Sequence, residues 1–135
     1  MPLRHVTDSR MIMSFLQVGL GGAIGAMLRF GTVTAMARVT VLGMPVGVLS
    51  VNVVGSFLMG MVAVYTLQKG LLHLNPLLIA GILGGFTTFS AFSLDAFTLY
   101  ERGAVGAAAA YVLLSVSLSI GGLALGILLA RGIWG

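Results

Sequence analysis

Residues 84–93 read GGFTTFSAFS: two glycines, two threonines, two serines and three phenylalanines, with no formal charge. Their types and spacing allow two kinds of ion chemistry. Gly84 and Gly85 each weaken a helix by about 1 kcal/mol relative to alanine, and the β-branched Thr87 and Thr88 that follow are stiff at χ1. A helix broken there frees carbonyl oxygens that suit a hard cation, and the N-terminus of the next half-helix suits an anion. Phe89 and Phe92 lie three apart and so project from nearly one helix face. An aromatic ring has a positive edge, so two rings presented edge-on can hold a small anion without a formal charge. Plain packing of two phenylalanines is the alternative.

Other polar side chains sit in equally apolar surroundings. In VNVVGSF, Asn52 and Ser56 are four apart on one face, and an amide there serves either as interhelical glue or as a pathway donor. Tyr111, Ser115 and Ser119 are also spaced by four and form a hydroxyl stripe, unless the serines bond their own backbone carbonyls. Ser117 points elsewhere. Arg29 follows GGAIGAML late in a hydrophobic run. It either snorkels to the interface or makes a positive vestibule. Asp95 and Glu101 read as interfacial partners for Arg29, Arg38 or Arg102. No carboxylate lies deep in a span, although proton-coupled transporters usually need one. The candidates that remain are neutral donors and ring edges, an inventory that suits a hydrogen-bond-accepting anion.

Composition says what must carry these groups. Of 135 residues, 59% are hydrophobic and only 7% charged, against about 25% charged in a soluble domain. A core this small cannot hide that surface, so a bilayer is the expected solvent. Residues 11–28, 39–68, 70–94 and 103–130 contain no Asp, Glu, Lys or Arg. A membrane helix needs about 20 apolar residues, which predicts four antiparallel helices at about 13–37, 45–68, 76–100 and 104–130. The third is expected to break near the midplane, where unwound backbone is tolerated only inside protein or along a cavity. Pro45 and Pro76 open hydrophobic runs, and Asn75 is placed to cap the third helix. The start, MPLRHVTDSR, reads as a short disordered tail, giving a polar segment 1–12 and a four-helix membrane domain 13–135. Ala35-Met36-Ala37 resembles a cleavage site, but the apolar stretch before it is long and Arg29 interrupts it, so an uncleaved helix is expected.

Gly21/Gly25, Gly81/Gly85 and Gly122/Gly126 are G-x-x-x-G pairs, and Ser56/Gly60 is similar. Such pairs let membrane helices approach closely, and with 20 glycines plain packing explains most of them. Four helices are too few to surround a polar pathway, so association with a second copy is expected. Arg4, Arg10, Lys69 and Arg131 fall on one side of the membrane, and Arg38 and Arg102, with Arg29 near its helix end, on the other. A bias this weak permits insertion in both orientations, as well as one poorly signalled topology. The net charge of +4 does not point to nucleic acid, because the basic residues are scattered singly at helix ends. The chain has no cysteine and hence no thiol chemistry. His5 and His73 lie outside the spans and suggest no metal site. No Ser-His-Asp set or phosphate loop is present, so no enzyme chemistry is expected.

GGFTTFSAFS, with VNVVGSF upstream and GGAIGAMLRF near the start, resembles the Fluc/CrcB fluoride channels. The resemblance runs from Gly19 to Arg131 in order and spacing. It implies an antiparallel, dual-topology homodimer in the bacterial inner membrane, with two fluoride pores and one structural Na⁺ at the dimer interface. It implies passive export of cytoplasmic fluoride, which accumulates when HF enters and dissociates. By motif, Phe89 and Phe92 match the pore phenylalanines, Ser90 the serine between them, and Asn52 the pore asparagine. Tyr111, Ser115 and Ser119 match the polar track, Arg29 the vestibule arginine, and Gly84 and Thr87 the positions whose carbonyls hold Na⁺. Ala91 departs from the family's frequent threonine, so a hydroxyl role is lost there. Two rivals come from other classes. A small multidrug transporter is similarly short and four-helical, but typically needs a glutamate in its first helix, and residues 11–28 have none. A structural membrane subunit explains the small-residue pairs but not the co-occurring polar groups.

Overall fold

The computed structural model describes Pro2–Gly135, with side chains from Thr7 onward. The side chains of Arg4 and His5, which entered the charge and metal arguments, therefore lie outside the described residues. The fold is helical, and four stretches are long and apolar enough to cross a membrane: Thr7–Ala35, Gly47–Gln68, Leu72–Glu101 and Val105–Trp134. The helices are α1 (Pro2–Ala35), α2 (Gly47–Gln68), α3 (Gly84–Phe86), α4 (Phe89–Glu101) and α5 (Val105–Trp134). The third stretch is composite, with a 3₁₀ turn at Leu72–Leu74 and a π-helical segment at Pro76–Leu83 ahead of α3 and α4.

Two expectations are corrected. The polar start is helical rather than disordered, since α1 begins at Pro2. Extending a formed helix adds a hydrogen bond for each residue fixed, without a new nucleation cost. Asn75 does not cap the third stretch through its side chain. Capping needs a non-helical backbone at that position, but the 3₁₀ turn delivers Asn75 already helical, at φ −59° and ψ −35°. Its Oδ1 is buried without a partner among the described residues.

The turns follow from local chemistry. After α2 the N–H of Gly70 bonds the Leu67 carbonyl and that of Leu71 the Thr66 carbonyl; after α4, Gly103 and Ala104 repeat this with Tyr100 and Leu99. Both glycines have positive φ, the left-handed residue that this helix ending requires. Between α1 and α2 lies a two-stranded hairpin, β1 (Thr40–Val41) and β2 (Met44–Pro45), paired antiparallel. The sequence reading did not anticipate it, because each strand is two residues long, too short for an alternating pattern to register.

Packing is set by small residues. A Cβ on Gly81 would lie 2.9 Å from the Gly21 Cα, so α1 and the π-helical segment meet backbone to backbone. On α5, a Cβ on Gly126 would strike the Phe57 carbonyl of α2, and one on Gly60 the Leu123 carbonyl of α5. The glycine pairs are packing seams, replacing hydrophobic drive with dispersion at close range. A small core of Met44, Val48, Phe92, Leu99, Ala108 and Tyr111 gathers where the hairpin, α2, α4 and α5 meet. Large apolar side chains elsewhere face outward, among them Phe15, Leu20, Phe30, Leu113 and Leu128. That is the surface a lipid solvent needs.

Candidate functional site

Between α3 and α4 the backbone is extended, with Thr87 at φ −85°, ψ 157° and Thr88 at φ −154°, ψ 124°. The hydrogen bonds of these residues go elsewhere. In an uninterrupted helix the Thr88 N–H would bond the Gly84 carbonyl; here it donates to Asn52 Oδ1 at 2.7 Å. The Ala91 N–H, which would bond the Thr87 carbonyl, donates to Thr88 Oγ1 at 3.1 Å. The Gly84 and Thr87 carbonyls thus lose their helical donors to Asn52 and to the Thr88 hydroxyl. Thr88 is the N-cap of α4, a role absent from the sequence reading. The signal was a threonine followed by a new helical run.

Asn52 works in both directions. Its Nδ2 donates to the Thr88 carbonyl at 2.9 Å while its Oδ1 takes the Thr88 N–H, so one side chain grips both backbone polar groups of one extended residue. A second Nδ2 hydrogen remains available. On the other side of the break, Arg29 Nε donates to the Gly85 carbonyl at 3.0 Å. Arg29 is half-buried and lines a separate cavity of about 300 Å³ with Val48, Thr88 and Ala91.

A cavity of about 490 Å³ collects most of the predicted residues: Asn52, Gly84, Thr87, Phe89, Phe92, Ser115 and Ser119. Ser56 lines it as well. Phe89 and Phe92 have ring centroids 5.3 Å apart, with planes at 60°. Their burial differs: Phe92 is 7% exposed and Phe89 77%. Phe92 also stacks on Tyr111, centroids 5.7 Å apart at 22°. Three predicted residues stand off the cavity wall. Ser90 Oγ sits 3.2 Å from Thr88 Oγ1. Tyr111 is fully buried and donates its hydroxyl to Asp95 Oδ2 at 2.9 Å. Arg29 is the third. Asp95, expected to face an arginine, takes the tyrosine instead. Sequence spacing could not pair residues from different helices.

Ser115 Oγ is buried without a hydrogen-bond partner among the described residues. Leaving a buried hydroxyl unpaired costs about 1–3 kcal/mol, so Ser115 is a donor in want of an acceptor. The serine does not bond its own backbone there. The same cavity is lined by Phe89, Phe92, Asn52, Gly84 and Thr87, with no Asp, Glu, Lys or Arg on the wall. Among the described residues no group of three or more His, Asp or Glu side chains could hold a metal. A cation here would have to take carbonyl oxygens, the hard donors suited to a hard ion. The freed Gly84 and Thr87 carbonyls fit that requirement.

A family model described as CrcB-like protein, Camphor Resistance (CrcB), matches residues 16–127. A protein of Ruegeria sp. strain TM1040 named fluoride-specific ion channel FluC is 54% identical over 127 residues, covering 91% of this chain and 98% of its own. One of the same name from Cereibacter sphaeroides strain ATCC 17029 is 57% identical over 122 residues, covering 90% and 98%. Another from Paracoccus denitrificans is 48% identical over 121 residues, covering 90% and 97%.

Proposed function

Since the chain belongs to the CrcB family, we propose that it is a fluoride channel that lets cytoplasmic fluoride leave the cell passively. It is a multi-pass protein of the bacterial inner membrane and not an enzyme. The observation that carries the reading is the unpartnered Ser115 hydroxyl, on one wall with both phenylalanines and Asn52. Fluoride is small and strongly hydrated, and stripping its water is costly unless donors replace it. Ser115, Ser119 and the free Asn52 hydrogen offer donors without a counter-charge that would trap the ion. The edges of Phe89 and Phe92 add positive potential where no hydroxyl reaches. Conduction needs such weak, distributed binding.

The finer proposal is an antiparallel, dual-topology homodimer with two pores. Exposed Phe89 and half-buried Thr87 and Thr88 leave unwound backbone at the edge of a single copy, which lipid does not tolerate. A second copy covers it, and the third stretch then breaks near the bilayer midplane. Arg4, Arg10, Lys69 and Arg131 against Arg38 and Arg102, with Arg29 near its helix end, leave only a weak charge asymmetry to forbid two orientations. The Gly84 and Thr87 carbonyls of both copies would hold one Na⁺, which supplies a fixed positive potential to an anion path. The hydrogen bonds of Asn52 and Thr88 keep those carbonyls turned out of the helix.

Liposomes containing only this protein test the reading. Fluoride efflux, read with a fluoride electrode, should exceed chloride efflux by about a hundredfold or more, a barrier difference of about 2.7 kcal/mol. Equal rates for the two halides reject it. Ser115→Ala should separate stability from transport. Removing an unsatisfied buried hydroxyl should raise thermal stability by about 1 kcal/mol, while losing a path donor should slow fluoride about tenfold. Thermal unfolding in detergent and the efflux assay check the opposite signs.

A further inference from the structure

We infer that Arg29 is a positioning residue of the break: its Nε–H stands in for the backbone donor that the Gly85 carbonyl loses. In an uninterrupted helix that carbonyl would accept from the N–H of Phe89, four residues on. The extended Thr87 and Thr88 carry Phe89 out of place. Arg29, arriving from α1, donates to the carbonyl at 3.0 Å. Gly85 directly follows Gly84, so this bond fixes the peptide next to the carbonyl that Asn52 has freed. Asn52 holds the far side of the same break through Thr88. The two side chains come from different helices and grip residues three apart.

This role differs from attracting anions or reaching the interface, since both of those need only the positive charge. Positioning needs an N–H at one point in space. The cavity beside Arg29 is lined by Ala26, Phe30, Val33, Val48, Thr88 and Ala91. None of these competes with the carbonyl for the guanidinium by charge. The inference rests on the channel reading for its transport consequences but not for its geometry.

Glutamine separates the roles, because its Nε2 lies as many bonds from Cα as the arginine Nε. Arg29→Gln keeps the donor and removes the charge; Arg29→Lys keeps the charge and misplaces the donor; Arg29→Met keeps length alone. Hydrogen exchange at residues 86–91, followed by mass spectrometry in detergent, reads the break without reference to transport. Glutamine should hold exchange within about threefold of the parent, while Lys and Met should speed it about tenfold. In liposomes Gln should keep fluoride flux and fluoride-over-chloride preference within about threefold, and Lys and Met should lose about tenfold in both. A Lys variant like the parent with an inactive Gln variant overturns the inference in favour of charge. Three variants that all exchange like the parent overturn it outright. A parent protein without fluoride flux rejects the channel reading, and the exchange data then still decide the role of Arg29.

Discussion

Phe92→Ile should lower fluoride efflux by about a hundredfold or more, equivalent to about 2.7 kcal/mol of barrier, and Phe89→Ile should do the same. Isoleucine is apolar and of similar bulk but has no ring edge. It keeps the burial and removes the positive rim, so a large loss of flux isolates the electrostatic contribution. The two sites differ in what else they disturb. Phe92 is 7% exposed and lies between Phe89 and Tyr111, at 5.3 Å and 5.7 Å. Its replacement should also cost about 1–2 kcal/mol of stability through imperfect repacking. Phe89 is 77% exposed in one chain, so its replacement should leave the stability of that chain within about 0.5 kcal/mol. The check is fluoride-electrode efflux beside thermal unfolding and the oligomeric state. Normal flux in both variants sinks the aromatic role. Lost flux with the Phe89 variant still folded and assembled supports it.

Asn52→Leu carries the second largest expected effect. Leucine nearly matches the shape of asparagine but neither accepts the Thr88 N–H nor donates to the Thr88 carbonyl. A buried backbone group left unpaired costs about 1–3 kcal/mol; both Thr88 groups are part-buried and the N–H can find another acceptor, so the expected loss is about 1–3 kcal/mol in total. The Thr88 N–H is then free to return to the Gly84 carbonyl, and the interrupted stretch tends to close into a helix. Fluoride efflux should fall to the protein-free background. Asn52→Asp keeps the acceptor, loses the donor and adds a negative charge beside the anion path, so it should restore part of the stability and none of the flux. Thermal unfolding and efflux of the two variants decide this. A leucine variant with parental flux shows that the grip on Thr88 is dispensable.

The parts visible in the sequence are those that depend on one helix at a time. Charge-free runs gave the four apolar stretches because a bilayer imposes its thickness on every one. Spacing by four placed Ser115 and Ser119 on one wall, and spacing by three put Phe89 and Phe92 side by side. The sequence did not reveal which donor answers which acceptor across helices. Nothing near Asp95 names Tyr111, sixteen residues on, and nothing near Arg29 names Gly85. Phe89 and Phe92 look equivalent in the string, yet one is enclosed by Tyr111 and the core while the other opens to the surface. Asn75 failed as a cap because the turn before it was already helical, a backbone property that residue type does not fix. The π-helical widening at Pro76–Leu83 escaped notice for a related reason: its periodicity differs from that of an α-helix by too little over eight residues to register.

The grips on the break come from Arg29 on α1 and Asn52 on α2, and both precede Thr87 in the chain. During synthesis, which delivers the N-terminal part first, the two partners are already threaded into the bilayer when the loosened segment leaves the ribosome. The segment can be satisfied on arrival instead of waiting with bare peptide groups in oil. A permuted chain that made it first would have to store those groups unpaired until α1 and α2 followed.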